Sequence, residues 1–263
     1  MTTALLGEPD RGLMDAPVFL ATLQRLGPHT VAERLASHLT EARRARIDAV
    51  LRARVVSLQV ALEAPNDPGN AAAVVRTAEA LGAGGVHVLG QPAAALRSRR
   101  ITRGSFYWAD TQAHADWDGL RAALPAGMRL VGACVDATEE LAEVPVDRPL
   151  CLVFGNEQAG LSPRARAACD LQFRIPQHGM AESLNLSVAA GIALYALLDR
   201  RRAAIGAPGD LSADQLADLR ARWYVKAVDP RLARAALGLH ETPAPSGLHE
   251  LHGPAGPSEP RDP

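Results

Sequence analysis

The sequence predicts an α/β protein with a parallel sheet flanked by helices. From residue 55 onward, short apolar runs alternate with amphipathic helical patterns, which is typical of a parallel sheet covered on both faces. Hydrophobic residues make up 48% of the 263 residues and aromatic residues only 4%, so the core is expected to consist of Ala, Val and Leu. Polar, glycine-containing loops follow several apolar runs, and such loops carry the ligand sites of parallel sheets.

Helices are predicted before the sheet begins. Two short amphipathic helices over residues 16–26 and 31–39 are separated by Gly27-Pro28, and a strongly basic helix covers residues 41–54. The sheet and its helices follow, with strands over 55–62, 85–89, 129–135, 150–154 and 171–175 and helices over 70–81, 117–124, 164–168 and 188–198.

The composition changes after a boundary at residues 201–206. Helices are predicted over 211–221 and 229–237, whereas the tail, rich in Pro, Gly and His, has little to bury and is expected to be disordered. The predicted division of the chain is a helical extension (1–40), an α/β domain that includes the basic helix (41–203), a second helical extension (204–240) and the tail (241–263).

Charge and cysteine content narrow the class of protein. The net charge of −1 gives no general attraction to polyanions, so any nucleic-acid site must be a local patch. Cys134, Cys151 and Cys169 form no C-x-x-C pair and are expected to be reduced thiols, without a disulfide framework or a metal site. The sequence has no signal-peptide pattern and no apolar run near the ~20 residues of a membrane span. A cytoplasmic protein without a membrane partner is therefore expected.

Two of the polar loops combine a turn with a candidate functional side chain. The first loop, residues 63–70, leads into a helix for which Asn70 is a suitable cap, and the Arg76 side chain can lean back toward the strand ends. The second loop, residues 155–162, contains two glycines and holds Glu157 at the edge of the sheet. A surface arginine on an amphipathic helix and a solvated loop acid are the alternatives for these two side chains.

A third loop, residues 175–187, precedes an apolar helix. Ser183, Asn185 and Ser187 are good helix-capping types, and a helix start offers unpaired N–H groups and a partial positive charge to a ligand. A capped helix without a ligand is the alternative. Nucleotide and hydrolase fingerprints are absent, since Gly82-Ala-Gly-Gly85 precedes a strand instead of following one and Ser183 stands in no G-x-S-x-G motif.

Taken together, the three loops resemble the signature motifs of a known family. Asn70 and Arg76, then Phe154-Gly-Asn-Glu-Gln-Ala-Gly160, then Ile175-Pro176 with Glu182-Ser-Leu-Asn-Leu-Ser-Val188 resemble the three motifs of the SpoU/TrmH family of RNA ribose 2′-O-methyltransferases. The resemblance covers about residues 41–202 and includes the segment 102–108. The basic helix leading into the domain is similar to the start of the branch that methylates guanosine-18 in the D-loop of tRNA.

The resemblance implies a SPOUT fold, in which the carboxyl-terminal part of the domain forms a deep trefoil knot, and a homodimer. It also implies S-adenosyl-L-methionine (AdoMet) as cofactor, held in the knot by backbone of the second and third loops. The positions that match the family's functional residues are Asn70, Arg76, Glu157, Ser183 and Asn185, and those near the methyl donor are Ala133, Gly155, Ile175 and Leu184. Ala133 stands where family members often have a small hydroxyl residue.

The family assigns Arg76 to activation of the ribose hydroxyl. Because a guanidinium group does not deprotonate near neutral pH, a clamp on the adjacent phosphate that also stabilises the developing alkoxide is the favoured role, ahead of base catalysis. Asn70 would then orient Arg76, Glu157 would order the site, and Ser183 and Asn185 would hold phosphate or ribose.

RNA, and specifically tRNA in view of the resemblance, is expected to bind through local positive charge. The candidate residues are Arg43, Arg44, Arg46, Arg52 and Arg54 of the basic helix and Arg97, Arg99, Arg100 and Arg103 of an acid-free loop. A solvated helix face is the alternative for the first group. Two other functions stay open: an rRNA ribose methyltransferase, although residues 1–40 are short for the separate RNA-binding domain many of these carry, and a non-catalytic protein that binds RNA or AdoMet.

Overall fold

The structure, a computed structural model, describes residues 16–90 and 105–239. The predicted disordered tail and the loop arginines Arg97, Arg99, Arg100 and Arg103 lie outside these residues. Seven strands form one sheet in the order β3-β2-β1-β6-β4-β7-β5, and all six neighbouring pairs are parallel. The strands are β1 (Leu58–Glu63), β2 (Val86–Leu89), β3 (Thr111–His114), β4 (Arg129–Ala133), β5 (Glu139–Glu140), β6 (Leu150–Phe154) and β7 (Leu171–Arg174).

Ten α-helices belong to the described residues. They are α1 (Ala16–Leu26), α2 (Pro28–Ala36), α3 (Glu41–Arg52), α4 (Pro68–Leu81), α5 (Ser105–Trp108), α6 (Trp117–Ala123), α7 (Pro163–Ala168), α8 (Leu186–Ile205), α9 (Ala213–Ala227) and α10 (Pro230–Leu237). None of them is both long enough and apolar enough to cross a bilayer.

The predicted parallel sheet flanked by helices is confirmed. Strand β6 and helix α1 have the predicted bounds, and most other elements differ from prediction by a few residues. Helix α8 runs to Ile205 and therefore covers most of residues 201–206, where a boundary was predicted. Strands β3 and β5 were missed; β3 is four residues long with three polar members and β5 has only two residues, so neither gives an apolar signal.

The sheet is buried on both faces, as its apolar strands require. Alternate residues of β1 point to opposite faces: Val60 and Leu62 pack with residues of α4 and α8, whereas Ala61 packs on the other side with Trp117 and Leu120 of α6. The ends of the strands are therefore fixed between two helical layers, and the loops that follow them start from rigid positions.

A third hydrophobic cluster joins the helices that precede the sheet to the helices that follow it. Its buried members include Leu35 of α2, Ile47 and Leu51 of α3, Trp223 of α9 and Leu237 of α10. The helices before and after the sheet thus share one core, and the basic helix α3 contributes to it. The four-part division of the chain stays a prediction.

A buried pair of histidines gives the fold a measurable pH dependence. In β2, His87 Nδ1 lies 2.9 Å from Nε2 of His114, and His87 Nε2 lies 2.7 Å from the Gln59 side-chain oxygen. Burial, and secondarily the neighbouring His114, lower the pKa of His87 to about 3. The unfolded chain therefore binds a proton below its pKa of about 6.5 that folded His87 does not bind.

We expect His87 to lower the free energy of unfolding by about 2 kcal/mol between pH 7 and pH 5, because stability is lost as pH falls below the unfolded pKa. Urea titrations at these two pH values measure the effect. In His87→Gln the free energy of unfolding should change less between the two pH values. His178 is exposed, so His178→Gln is a control that should keep the wild-type pH dependence. An unchanged slope in His87→Gln would rule out this origin.

Candidate active site

The three polar loops meet at one edge of the sheet. Strand β1 lies directly beside β6 in parallel register, from Leu58 opposite Leu150 to Leu62 opposite Phe154. Because parallel strands end on the same side, the loop after β1 and the loop after β6 emerge together. Helix α8, which follows the third loop, packs against α4 through the core on one face of the sheet.

Glu157 of the second loop binds the first loop. Its carboxylate accepts hydrogen bonds from the Asn66 N–H group (2.7 Å), the Asp67 N–H group (3.3 Å) and the Asn70 side-chain amide (2.9 Å). Burial raises the pKa of Glu157, but the bonds from Asn70 and from backbone N–H groups outweigh it, so the pKa lies below its ordinary value. Glu157 is therefore an ionised acceptor that orders the first loop.

Asn185 continues this network into the third loop. Its side-chain amide donates to the Asn70 side-chain oxygen (3.0 Å), and its own oxygen accepts from the N–H groups of Ser187 (2.9 Å) and Val188 (3.4 Å). Asn185 thus caps α8, and Glu157, Asn70 and Asn185 form one hydrogen-bonded chain. The expected convergence of the three loops is present in the structure.

The prediction that Asn70 caps its helix is wrong. Helix α4 begins at Pro68, and its cap is Asp67, whose carboxylate accepts from the Gly69 N–H group at 2.7 Å. Asn70 lies inside the first turn of α4, which leaves its amide and its oxygen for Glu157 and Asn185. Asn70 is therefore the link between two distant loops instead of a local cap.

Two of the predicted catalytic side chains make no contact with this network. Arg76 lies on α4 with its side chain exposed, and no hydrogen bond or ion pair to its guanidinium is found within the described part of the chain. Ser183 is exposed two residues before the α8 cap. Both side chains are therefore open to a ligand at the edge that the network orders.

The four residues predicted near the methyl donor follow adjacent strands. Ala133 is the last residue of β4, while Gly155 and Ile175 immediately follow β6 and β7, and β4 lies between these two strands in the sheet. All three, and Leu184 of the third loop, are half-buried. Ala133, Gly155 and Ile175 thus line one continuous stretch of the sheet edge.

Gly155 allows the second loop to fold back on itself. A Cβ atom at this position would lie 2.1 Å from the Gly160 carbonyl carbon, far inside any van der Waals contact. Asn156 and Gly160 close the turn with two backbone hydrogen bonds of 3.0 and 2.8 Å. The turn directs the backbone that follows β6 across the strand ends.

Two residues that support these loops were not recognised from the sequence. Glu63, the last residue of β1, accepts from the Trp117 indole (3.0 Å) and from the Ser162 hydroxyl (2.7 Å) and N–H group (2.9 Å). Asn156, at a position that varies in the resembled family, donates to the Ala64 carbonyl at 2.9 Å. A carboxylate at the end of an apolar strand was the available signal for Glu63, as it was for Glu157.

The arginines of the basic helix and of the residues that follow it differ in exposure. Arg43, Arg46 and Arg52 are exposed and Arg44 is half-buried. Arg54 is only 3% exposed, and its guanidinium lies over the Trp223 ring, 5.4 Å from the centroid. The prediction that Arg54 contacts RNA is therefore wrong, because the remote helix α9 covers it.

Comparisons with known proteins agree with this arrangement. The SpoU rRNA methylase family matches residues 57–195. The tRNA (guanosine(18)-2′-O)-methyltransferase of Thermus thermophilus is 34% identical over 158 residues, 59% of this chain and 81% of that protein. A 23S rRNA (guanosine-2′-O-)-methyltransferase from Burkholderia sp. is 36% identical over 150 residues, 55% of this chain and 60% of that protein.

Solved structures give the same result. The A. aeolicus TrmH/SpoU tRNA modifying enzyme superposes with a TM-score of 0.64 at 30% identity, over 72% of this chain and 98% of the other. The AdoMet-bound rRNA methyltransferase from Sinorhizobium meliloti superposes with a TM-score of 0.50 at 34% identity, over 54% and 56% of the two chains.

The fold and the ordered sheet edge, together with these relatives, define the class of this protein as an RNA methyltransferase. The chain belongs to the SpoU rRNA methylase family, as the three sequence motifs implied.

Proposed function

We propose that this chain transfers a methyl group from AdoMet to the ribose 2′-hydroxyl of guanosine-18 in the D-loop of tRNA. The observation that carries the proposal is the hydrogen-bonded chain from Glu157 through Asn70 to Asn185, which joins three sequence motifs at one edge of the sheet. The choice of tRNA is supported by the identity to the Thermus thermophilus enzyme and by a basic helix that leads directly into the sheet.

The residues at the ends of β4, β6 and β7 fit AdoMet. Ala133, Gly155, Ile175 and Leu184 are small or apolar and half-buried, and the absence of a side chain at Gly155 leaves backbone groups accessible to a ligand. These four residues would hold the cofactor. Bound AdoMet would supply the methyl group, and its sulfonium sulfur would leave as a neutral thioether.

The chain's own residues would orient the ribose and stabilise the charge that develops on its oxygen. The exposed guanidinium of Arg76 presents parallel N–H donors, so it can clamp an RNA phosphate and stabilise the alkoxide as the hydroxyl proton leaves to solvent. Asn70 and Glu157 fix the start of α4, on which Arg76 lies, and Ser183 and Asn185 would contact phosphate or ribose. Orientation alone can supply ~7–11 kcal/mol of the barrier.

The proposal includes a knotted domain and a homodimer in the cytoplasm, where tRNA is used. The knot is supported by the strand order. Strand β7 lies between β4 and β5 in the sheet, so the chain that runs from β4 through β5 to β6 passes around β7. The dimer is supported by α8, where Val188, Ile192 and Tyr195 form an exposed apolar stripe and are 48%, 41% and 70% exposed. Sedimentation equilibrium tests the dimer, and a monomer at micromolar concentration would contradict it.

The proposed RNA surface is the exposed face of α3 with Arg43, Arg46 and Arg52, with Arg44 at its margin. The loop arginines Arg97, Arg99, Arg100 and Arg103 stay a prediction. If these side chains neutralise Z phosphates, the logarithm of RNA affinity should fall with the logarithm of salt concentration at a slope of about −0.7Z to −0.9Z.

The decisive experiment uses two tRNA transcripts that differ in one atom. Methyl transfer to unmodified tRNA is mapped by mass spectrometry and compared with a tRNA carrying 2′-deoxyribose at residue 18, which binds but offers no hydroxyl. The proposal requires methylation of the first and none of the second. Equal methylation of both would move the target elsewhere in tRNA, and methylation of 23S rRNA alone would favour the function named for the Burkholderia relative. No methylation of either RNA would leave a non-catalytic binding protein.

Asn185→Asp separates the capping role of Asn185 from its role in the network. Aspartate caps a helix start as well as asparagine, but it cannot donate to the Asn70 oxygen. We expect thermal stability to stay near wild type while kcat/KM for methyl transfer falls about tenfold, since the lost amide–amide hydrogen bond is worth ~0.5–1.5 kcal/mol and the new carboxylate repels the Asn70 oxygen. Ser212→Asp changes a cap of α9 outside the site and should leave both quantities unchanged. A fully active Asn185→Asp enzyme would remove the network from the mechanism.

A further inference from the structure

The only lysine of the chain, Lys226, forms a reciprocal contact with Tyr107. The Lys226 ammonium donates to the Tyr107 carbonyl oxygen at 2.7 Å, and the Tyr107 hydroxyl donates to the Lys226 carbonyl oxygen at 2.5 Å. The ammonium also lies 5.5 Å from the centroid of the Tyr107 ring. Helix α9 and the short helix α5 lie more than a hundred residues apart in sequence. In this contact the side chain of each residue bonds to the backbone carbonyl of the other.

One turn earlier on α9, Trp223 extends this contact to the basic helix. Its ring centroid lies 5.1 Å from that of Trp108, and the Arg43 guanidinium of α3 lies over the Trp108 ring, 5.2 Å from its centroid. A second tie runs directly between the helices, from Arg220 Nε of α9 to Asp48 Oδ1 of α3 at 2.7 Å. Helix α9 therefore holds α3 at two separate points.

The burial of Lys226 is costly, which argues that its position matters. Burial lowers the pKa of Lys226 to about 8, with Arg54 and Arg222 lowering it further and Asp110 opposing them. An aliphatic side chain would avoid this desolvation. The ammonium, however, makes a directional hydrogen bond, which an aliphatic side chain cannot make. This bond fixes the position of the Tyr107 carbonyl oxygen of α5 relative to α9.

Helix α5 also connects this assembly to the proposed site of methyl transfer. It packs against α4, which begins beside Asn70 and carries Arg76. The contacts thus run from α3 through Trp108 and Tyr107 to α4, and α9 braces the middle of this path. A shift of α9 would change the angle between the arginines of α3 and the edge of the sheet.

We propose that α9 is a brace for RNA binding, in which Lys226 and Trp223 set the orientation of the arginine face of α3 relative to the methyl-transfer loops. Lys226 is then a positioning residue: it acts through Tyr107 and Trp108 and does not itself contact RNA. The inference rests on the proposed function, since it concerns the path by which a bound RNA reaches Arg76.

The test compares steady-state kinetics of Lys226→Met with those of wild type. We expect KM for tRNA to rise about tenfold, equivalent to ~1.4 kcal/mol, because the arginine face of α3 loses its fixed orientation, while kcat at saturating tRNA and the Kd for AdoMet stay within about twofold. Lys226→Arg keeps a charged donor and should recover most of the affinity. Tyr107→Phe removes one hydrogen bond and almost no volume, so it tests the same contact if the Met variant folds poorly, with a KM increase of about threefold.

Arg231→Gln is the matched control. Arg231 is an exposed residue at the start of α10, and its replacement removes one positive charge from the same end of the chain. Its KM for tRNA should stay near wild type. An equal rise in KM for Arg231→Gln and Lys226→Met would reduce the effect to net charge and overturn the brace, as would a Lys226→Met enzyme with unchanged KM. If wild-type protein neither bound nor methylated tRNA, the proposed function itself would fail, a result that does not depend on these variants.

Discussion

Replacing Arg76 with lysine is expected to lower kcat for ribose methylation by about 10²–10³-fold, the usual effect of removing one donor from a developing oxyanion. Lysine keeps the positive charge but loses the planar fork that binds a phosphate or alkoxide through two parallel N–H groups. Because Arg76 is exposed on α4 and has no partner among the described residues, the change should not disturb folding. The loss in rate would therefore report on the geometry of the guanidinium alone.

The measurement is single-turnover methyl transfer to tRNA, together with the Kd for AdoMet and the thermal midpoint. AdoMet binding should be unchanged, since the residues proposed to hold it follow β4, β6 and β7 and not α4. Arg148→Lys is the matched control, because Arg148 is an exposed arginine just before β6, at the opposite edge of the sheet. Wild-type rates in Arg76→Lys at neutral pH would exclude the bidentate clamp. A rate that recovered only at high pH would favour base catalysis.

The convergence of the three loops could be predicted from the sequence because it depends on a simple rule. Parallel strands end on one side, so polar residues that follow apolar runs come together there. Which side chains then bond to one another could not be predicted. The bond from Asn70 to Glu157 exists because β6, reached late in the chain, lies beside β1, and strand order has no local signal.

Remote packing explains the other differences. Arg54 belongs to a basic run that resembles a solvated helix face, but the ring of the distant Trp223 lies against its guanidinium. Arg201 stands in a run of arginines that resembles a domain boundary, yet it is 8% exposed and donates to the Ser57 hydroxyl (2.8 Å) and the Val146 carbonyl (2.7 Å). In both cases the environment of the arginine is set by residues more than fifty positions away in the sequence.

Gly155→Ala is expected to weaken AdoMet binding by at least about 100-fold, equivalent to ~2.7 kcal/mol. The added Cβ would lie 2.1 Å from the Gly160 carbonyl carbon, 2.2 Å from its oxygen and 2.3 Å from the Leu161 nitrogen. All three are backbone atoms, so no rotation of a side chain relieves the overlap. The turn must open, at the cost of the backbone hydrogen bonds between Asn156 and Gly160, and overpacking of this kind also lowers stability by ~1–3 kcal/mol.

Opening this turn would also break hydrogen bonds of the active-site network. Asn156 holds the Ala64 carbonyl and Glu157 holds the N–H group of Asn66, so displacing the second loop also releases the first. Gly191→Ala is the control: its Cβ would lie 3.7 Å from the Thr77 methyl carbon, an ordinary contact inside α8, and alanine there should add ~0.5–1 kcal/mol of stability. Isothermal titration of AdoMet into both variants decides the matter. Wild-type affinity in Gly155→Ala would mean that the cofactor is held away from the loop that follows β6.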